Sequence, residues 1–496
     1  MMLKYGFDND KYVKLQSEKI KERIEMFGGK LYLEFGGKLF DDFHASRVLP
    51  GFKPDSKIKM LIELSELAEI IVTVNTADIE KNKVRGDLGI TYDLDCLRLI
   101  DAFRGNGLYV GSVVLTRYTA SPTAEAFKKK LENLGIKVYK HYDIEGYPQN
   151  IDYIVSDEGY GKNEYIETTR SLVVVTAPGP GSGKMATCLS QIYHESKQGV
   201  KSGYAKFETF PIWNLPLSHP VNAAYEAATA DLADVNMIDP FHLEAYGEMT
   251  VNYNRDVEIF PVLRAMLTGI LGDCPYKSPT DMGVNMSGFC IYDDTAVITA
   301  ARREIIRRYY DALCRRREER GSDGEVQKIE MILRKLNIDE TSERKCIYPA
   351  LSKAELTDAP AVAIELSDGR IVTGKTSSLL GASSAGILNA LKAIAGIDNS
   401  TDIISPEVLE PVQHLKTVYL GNHNPRLHTD EVLVALAVSA ANGIDAKRAL
   451  DAIPMLKGCE IHSSVMLSQV DVNTFRKLGM HLTCEPIYQT KKLFHN

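Results

Sequence analysis

The sequence is poor in the features that mark a specialised class of protein. Only one of its 496 residues is tryptophan, Trp213, and only eight are cysteine. Those cysteines, Cys96, Cys188, Cys274, Cys290, Cys314, Cys346, Cys459 and Cys484, are scattered, and no two form a C-x-x-C. Such spacing argues against a zinc finger and a dense disulfide framework. Basic residues are not in excess: 58 Lys and Arg against 66 Asp and Glu leave a formal charge of −8. Bulk affinity for nucleic acid normally needs the opposite balance, so no nucleic-acid partner is expected. The first residues, MMLKYGFDNDKYVK, carry no apolar signal core. The smoothest apolar stretch, Leu379 to Ile397, is interrupted by Ser383, Ser384, Asn389 and Lys392, too polar for an ordinary membrane span. Glycine and proline, 36 and 20 residues, sit near average usage, which excludes a collagen-like chain. The expectation left standing is a large cytoplasmic protein with reduced thiols, no membrane partner and roughly two to four domains.

What is present first is a rhythm of strands and helices. Glu69–Asn75, Tyr109–Thr116, Ile136–Tyr139, Ile151–Val155 and Ser171–Thr176 read as strands. Asp93–Phe103 has helical spacing, and Ser121-Pro122 opens an amphipathic helix that stops at Gly135. Alternation of this kind predicts an α/β fold with a mostly parallel sheet. From about Val221 helices dominate. Ala301–Lys335 holds eleven Lys/Arg and seven Asp/Glu, expected as a solvated helical pair around Gly321-Ser322-Asp323-Gly324, with an RNA-binding helix as the weaker alternative. A smaller α/β part begins near Leu351 with a hairpin, Ala361–Leu366 and Ile371–Lys375, around Ser367-Asp368-Gly369-Arg370. Further strands are expected at Thr417–Leu420, Glu460–Leu467 and His481–Cys484. The expected domains are 1–220, 221–350 and 351–496.

The sharpest chemical signal is VVVTAPGPGSGKMATCLSQIYHE. An apolar strand enters Gly179-Pro180-Gly181-Ser182-Gly183-Lys184, and a helix follows. Glycines let backbone N–H groups converge on an anion, and a helix N-terminus adds a favourable dipole. Lys184 supplies a mobile positive charge. The P-loop pattern G-x-x-x-x-G-K-[ST] is met only in part. Pro178 takes the first glycine position, and Met185 replaces the hydroxyl residue that holds magnesium, leaving Thr187 or Ser182 as substitutes with unusual spacing. Upstream, Ile151–Val155 leads into Asp157-Glu158, resembling a Walker-B strand, with Lys162 in the loop behind it. There Asp157 would orient hydrated Mg²⁺ and Glu158 would polarise a nucleophile.

Other polar groups have weaker claims. Lys38, Asp41, Asp42, His44 and Arg47 follow Gly36-Gly37, read as a hairpin turn with a charged surface or as an anion site. Asp281 and Asn285 lie in YKSPTDMGVN, where Ser278-Pro279 or Asp281 could equally cap a helix. Asn252, Asn254, Arg255 and Asp256 read as a turn. His423 and His428 flank Arg426 in GNHNPRLHTDE, and Glu460 and His462 share a strand face. No segment supplies three converging zinc ligands, so no zinc site is expected.

The runs SDEGYGKNEYIETTR, APGPGSGKMATCLSQIYHE, SPTDMGVNM and LGNHNPRLHTDE resemble an uncharacterised bacterial family, domain of unknown function eighteen forty-six, over nearly the whole chain. The resemblance implies a cytoplasmic bacterial protein with an N-terminal α/β part, a helical insertion and a smaller C-terminal α/β part. It implies no reaction. The C-terminal part also resembles the cytidine-deaminase fold in element order. Ser383, Ser384 and Ala385 stand where the first zinc ligand and the acidic catalyst would be, so the resemblance carries no deaminase chemistry.

The expected function is binding of a nucleotide or other phosphorylated small molecule through Gly179, Gly181, Ser182, Gly183, Lys184 and Thr187. Phosphoryl transfer would then use Lys184, Asp157, Glu158 and Asp281, with Lys162, Asn285, His423 and Arg426 touching substrate and Mg²⁺ accompanying a nucleotide. The alternative is a non-catalytic ligand-sensing or assembly protein. A homo-oligomer is the prior for a large cytosolic protein.

Overall fold

The computed structural model describes residues 5–40, 42–85, 89–232 and 234–489. The chain forms two compact units. The larger contains Gly6–Tyr225 and Asp234–Asp294, and the other is dominated by the chain from Thr295 onward.

The larger unit is built on a seven-stranded sheet. Its strands are β1 (Leu31–Phe35), β2 (Ala68–Asn75), β3 (Tyr109–Thr116), β4 (Lys137–Lys140), β5 (Leu172–Thr176), β6 (Gly203–Phe207) and β7 (Gly283–Val284). They lie in the order β7-β6-β1-β5-β2-β3-β4, and every neighbouring pair is parallel. The apolar centre of β5 explains its central place: Leu172, Val173, Val174 and Val175 are wholly buried, as a strand covered on both faces requires. Among the crossover helices are α1 (Tyr92–Gly105), α2 (Pro122–Asn133) and α3 (Lys184–Lys197), with α4 (Asn254–Leu271) further along. Helix α2 starts where the sequence signals it, with the Ser121 side chain accepting from the Ala124 N–H at 3.2 Å. Leu189 and Ile192 of α3 pack with Phe260, Leu263 and Leu267 of α4 over Tyr32 and Val173 of the sheet.

Two expectations fail in this unit. Ile151–Val155 is not a strand: Ile151–Ile154 is a helical turn capped by Asn150, whose side chain accepts from the Tyr153 N–H at 3.4 Å. Five apolar-rich residues carry too little period to separate a strand from a helical turn, and the capping residue decided it. Gly36-Gly37 closes no hairpin. It ends β1, whose neighbours β5 and β6 are both parallel to it.

The second unit has a four-stranded sheet of β8 (Ala361–Glu365), β9 (Ile371–Lys375), β10 (Glu460–Ser463) and β11 (His481–Cys484), in the order β9-β8-β10-β11. Strand β8 is antiparallel to both neighbours, and β10 is parallel to β11. The expected hairpin is present, its turn held by Asp368 accepting from the Arg370 N–H at 3.0 Å. The charged stretch forms α5 (Asp294–Arg317) and α6 (Asp323–Lys335), with Ser322 capping the second. Its arginines are used internally: Arg302 pairs with Glu343, Arg308 with Glu304 and Arg315 with Glu325. Helix α7 (Ala382–Ala395) packs on the hairpin, and α8 (Thr429–Ser439) follows. Thr417–Leu420 is not a strand: Leu415–Tyr419 continues the preceding helix as a π-helical turn. The strand expected at Glu460–Leu467 ends at Ser463.

Candidate functional site at the carboxyl edge of the parallel sheet

The chain leaves β5 toward β6 on one side and leaves β2 toward β3 on the other. Right-handed crossovers therefore put the two connections on opposite faces of the sheet. The carboxyl ends of β5 and β2 are therefore a topological switch point, the position where open α/β sheets bind ligands. The Gly179–Lys184 loop occupies this position.

The loop is held by its neighbours. Thr116, at the end of β3, donates from Oγ1 to the Ser182 carbonyl at 2.9 Å, and Ser182 Oγ donates to the Gly179 carbonyl. Asn75, at the end of β2, reaches the Gly181 carbonyl at 3.5 Å. Gly181 and Gly183 have φ of +72° and +78°, a conformation that glycine adopts without steric cost. Gly183 is the N-cap of α3, and Lys184 is its first residue. The first N–H groups of such a helix have no intrahelical acceptor. Thr187 turns away: it is buried, with Oγ1 3.5 Å from Nδ1 of His141. Burial pushes the His141 imidazole down to about 4, so it is neutral at physiological pH.

Asp157 does not join this loop. Its carboxylate accepts from the Tyr193 hydroxyl at 2.6 Å and pairs with Lys197 at 3.4 Å. These contacts hold it below the usual carboxylate range, the Tyr193 hydrogen bond first. Tyr193 is nine positions beyond Lys184 on α3, or about 13 Å along the helix axis. Asp157 is thus engaged well along α3 from Lys184: the helical turn before it packs on α4, and the Tyr160–Lys162 turn after it packs on α3. Glu158 is exposed beside Asp157. Lys162 is exposed, its Nζ 6.0 Å from the Tyr142 ring centre.

The remaining candidates are spent locally or lie in the other unit. Asp281 accepts from the Tyr246 hydroxyl at 2.9 Å and the Lys277 N–H at 3.1 Å, while Ser278 caps its short helix. The capping alternative therefore describes Ser278. Asn285 donates to the Pro211 carbonyl at 2.9 Å and accepts from the Ser287 N–H at 3.0 Å. In the second unit His423 is exposed, and Arg426 donates from Nε to the Ser377 carbonyl at 2.9 Å. His428 lies 3.3 Å from Asp471, whose hydrogen bond raises the imidazole above its ordinary value. Asp41 lies outside the described residues. Asp42 and Lys57 make a buried ion pair at 2.6 Å, and Lys57 Nζ also lies 5.8 Å from the Phe207 ring centre. Among the described residues no group of three or more His, Cys, Asp or Glu is placed to hold a metal ion. None of their helices is long and apolar enough to cross a membrane.

The sequence does not advertise another group at the same edge. The Tyr204 hydroxyl donates to Glu34 at 2.6 Å, and Lys206 pairs with Asp256 and, at 2.9 Å, with Glu208. Its only sequence signal is the alternation of Tyr204 and Lys206 on one face of β6, with Glu208 just past the strand's end.

Fold and loop together define a parallel α/β protein with a glycine-rich strand–helix turn at its switch point. Residues 5–337 match the family model described as Domain of unknown function DUF1846, N-terminal, and residues 342–494 match its C-terminal counterpart. The chain belongs to this family. It is similar to "UPF0371 protein" sequences from Streptococcus thermophilus (strain ATCC BAA-491 / LMD-9), Streptococcus pneumoniae (strain JJA) and Streptococcus sanguinis (strain SK36). Each is 56% identical over 493 residues, covering 99% of this chain and 100% of the relative.

Proposed function

We propose that the protein binds a nucleotide or another phosphorylated small molecule at Gly179–Lys184. One observation carries this: the glycine loop, the N-terminus of α3 and Lys184 coincide at the switch point between β5 and β2. Backbone N–H groups there would take the phosphate oxygens, and Lys184 would neutralise their charge. On this reading the protein is cytoplasmic and its partner is a small anionic ligand.

A second reading, ligand sensing without turnover, is favoured by two observations. Met185 occupies the place where a P-loop carries its magnesium-holding hydroxyl. Asp157, the expected magnesium carrier, is engaged by Tyr193 and Lys197 instead. Calorimetric titration of ATP, GTP, ribose 5-phosphate and inorganic pyrophosphate tests the site. Lys184→Ala should weaken every ligand that binds by about tenfold or more, the loss of one charge-assisted contact. Equal affinities in both proteins would remove the loop from the function. Product formation on prolonged incubation with Mg²⁺ or Mn²⁺ would favour the enzyme over the sensor.

A further inference from the structure

Helix α8 is apolar on two faces. Val432, Ala435 and Leu436 are buried in the core that α7 also faces. Val434, Ala437 and Val438, with Ala441 just past the helix, are exposed and follow the spacing i, i+3, i+4, i+7 of a single helical face. Every member of this outward stripe is valine or alanine. A surface helix normally turns polar residues outward, and apolar residues on both faces belong between two partners.

The stripe has an apolar neighbour. The helix Pro406–His414 packs against α8 and lays Val408, Leu409 and Val412 on the same core. It continues as the π-helical turn Leu415–Tyr419, where Lys416 is buried and pairs with Glu431 of α8 at 2.8 Å. Glu431 lies one turn before Val434 on the same side of α8, so the turn adjoins the stripe. Around Lys416 the chain sends Leu415, Val418, Tyr419 and Leu420 outward. These four residues, Val434 and Val438 are each 50–73% exposed. Single exposed apolar residues are ordinary, but a contiguous group of this kind marks a contact surface.

We propose that α8 and Leu415–Leu420 form the two-fold interface of a homodimer, with α8 packed antiparallel on α8 of a second copy. Area supports this occupant: the outward side chains present roughly 700 Å², close to the ~800 Å² that each partner gives to a stable interface. Composition supports it too. The stripe carries no charge that would select a charged partner. Helix α8 has Asp430 and Glu431 but neither Lys nor Arg, the opposite of a helix that lies on a membrane surface. Valine alternates with alanine along the stripe, so the valines of one helix fit over the alanines of an identical helix related by a two-fold axis.

Sedimentation velocity on the full chain tests the interface. The wild type should sediment as a pair of chains at micromolar concentration. Val434→Glu/Val438→Glu sets like charges against one another across the axis and should weaken self-association by about a hundredfold or more. Val434→Ser/Val438→Ser, which brings in no charge, should weaken it by about tenfold. Far-UV circular dichroism of both variants should match the wild type, because these side chains lie outside the core. Met331→Glu, at an exposed position of α6, should leave the dimer intact. A wild type that stays monomeric up to about 100 μM would overturn the proposal, and flotation of that monomer with anionic phospholipid vesicles would assign the patch to a lipid surface instead. Dimers that persist undiminished in both double variants would overturn it as well, by placing the contact elsewhere on the chain.

Discussion

Gly179 shows how little room the phosphate loop leaves. A Cβ built there would overlap the hydroxyl and ring of Tyr92, the first residue of α1. Gly183 is tight in another way: its left-handed backbone would carry a Cβ 3.0 Å from the Thr116 methyl. Gly179→Ala should therefore cost about 1–3 kcal/mol, the range for forcing an extra carbon into packed structure. Urea unfolding would measure it. Tyr92→Leu should restore part of the loss in the double variant, while having no such effect in the Gly183→Ala background. Equal recovery in both would mean that Tyr92 is not what Gly179 makes room for.

Elements of the second unit meet through the same device on a larger scale. Strand β9 and helix α7 approach so closely that a Cβ on Gly374 would strike the backbone of Gly386, and one on Gly386 would strike the Val362 side chain. Gly374→Val should destabilise this unit by about 1–3 kcal/mol or more, because both sides of the contact are backbone and cannot yield. Loss of helical signal at lower denaturant checks it, and an unchanged midpoint would show the hairpin free to lift. This contact also indicates how legible each element was. The SDGR turn between the apolar runs of β8 and β9, and the uninterrupted apolar run of β5, are local signals, and these elements lie within a residue or two of where they point. Ile151–Val155 was misjudged because a short apolar run has no distinguishing period, and Leu415–Tyr419 because helix continuation outweighed β-branching. Of the site, the glycine loop was legible as a motif. The Lys206 group was not, since Glu34, Lys206 and Asp256 are brought together by strand order and by α4, and neither is written in any one segment.

At the scale of the molecule, one buried carboxylate of the second unit should tell the two units apart. In the second unit Glu460 is buried between two arginines, Arg307 at 2.7 Å and Arg344, itself fully buried. Burial alone would raise its carboxyl, yet the two guanidinium groups hold it down to about 2. A carboxyl depressed in the fold contributes stability that is complete above its unfolded value of 4.5 and is lost as the pH falls from there toward about 2. Glu460→Gln should therefore cost about 3–5 kcal/mol at neutral pH, because it leaves buried guanidinium charge without its partner. The difference from wild type should shrink steadily below pH 4.5 and be nearly gone at pH 2. The only tryptophan, Trp213, donates to the Asn285 carbonyl at 2.8 Å inside the larger unit, so its fluorescence reports that unit. Far-UV circular dichroism should show part of the helical signal of Glu460→Gln melting earlier than in wild type, with the Trp213 transition in place. A Trp213 transition that moves by the same amount would show that the two units unfold as one.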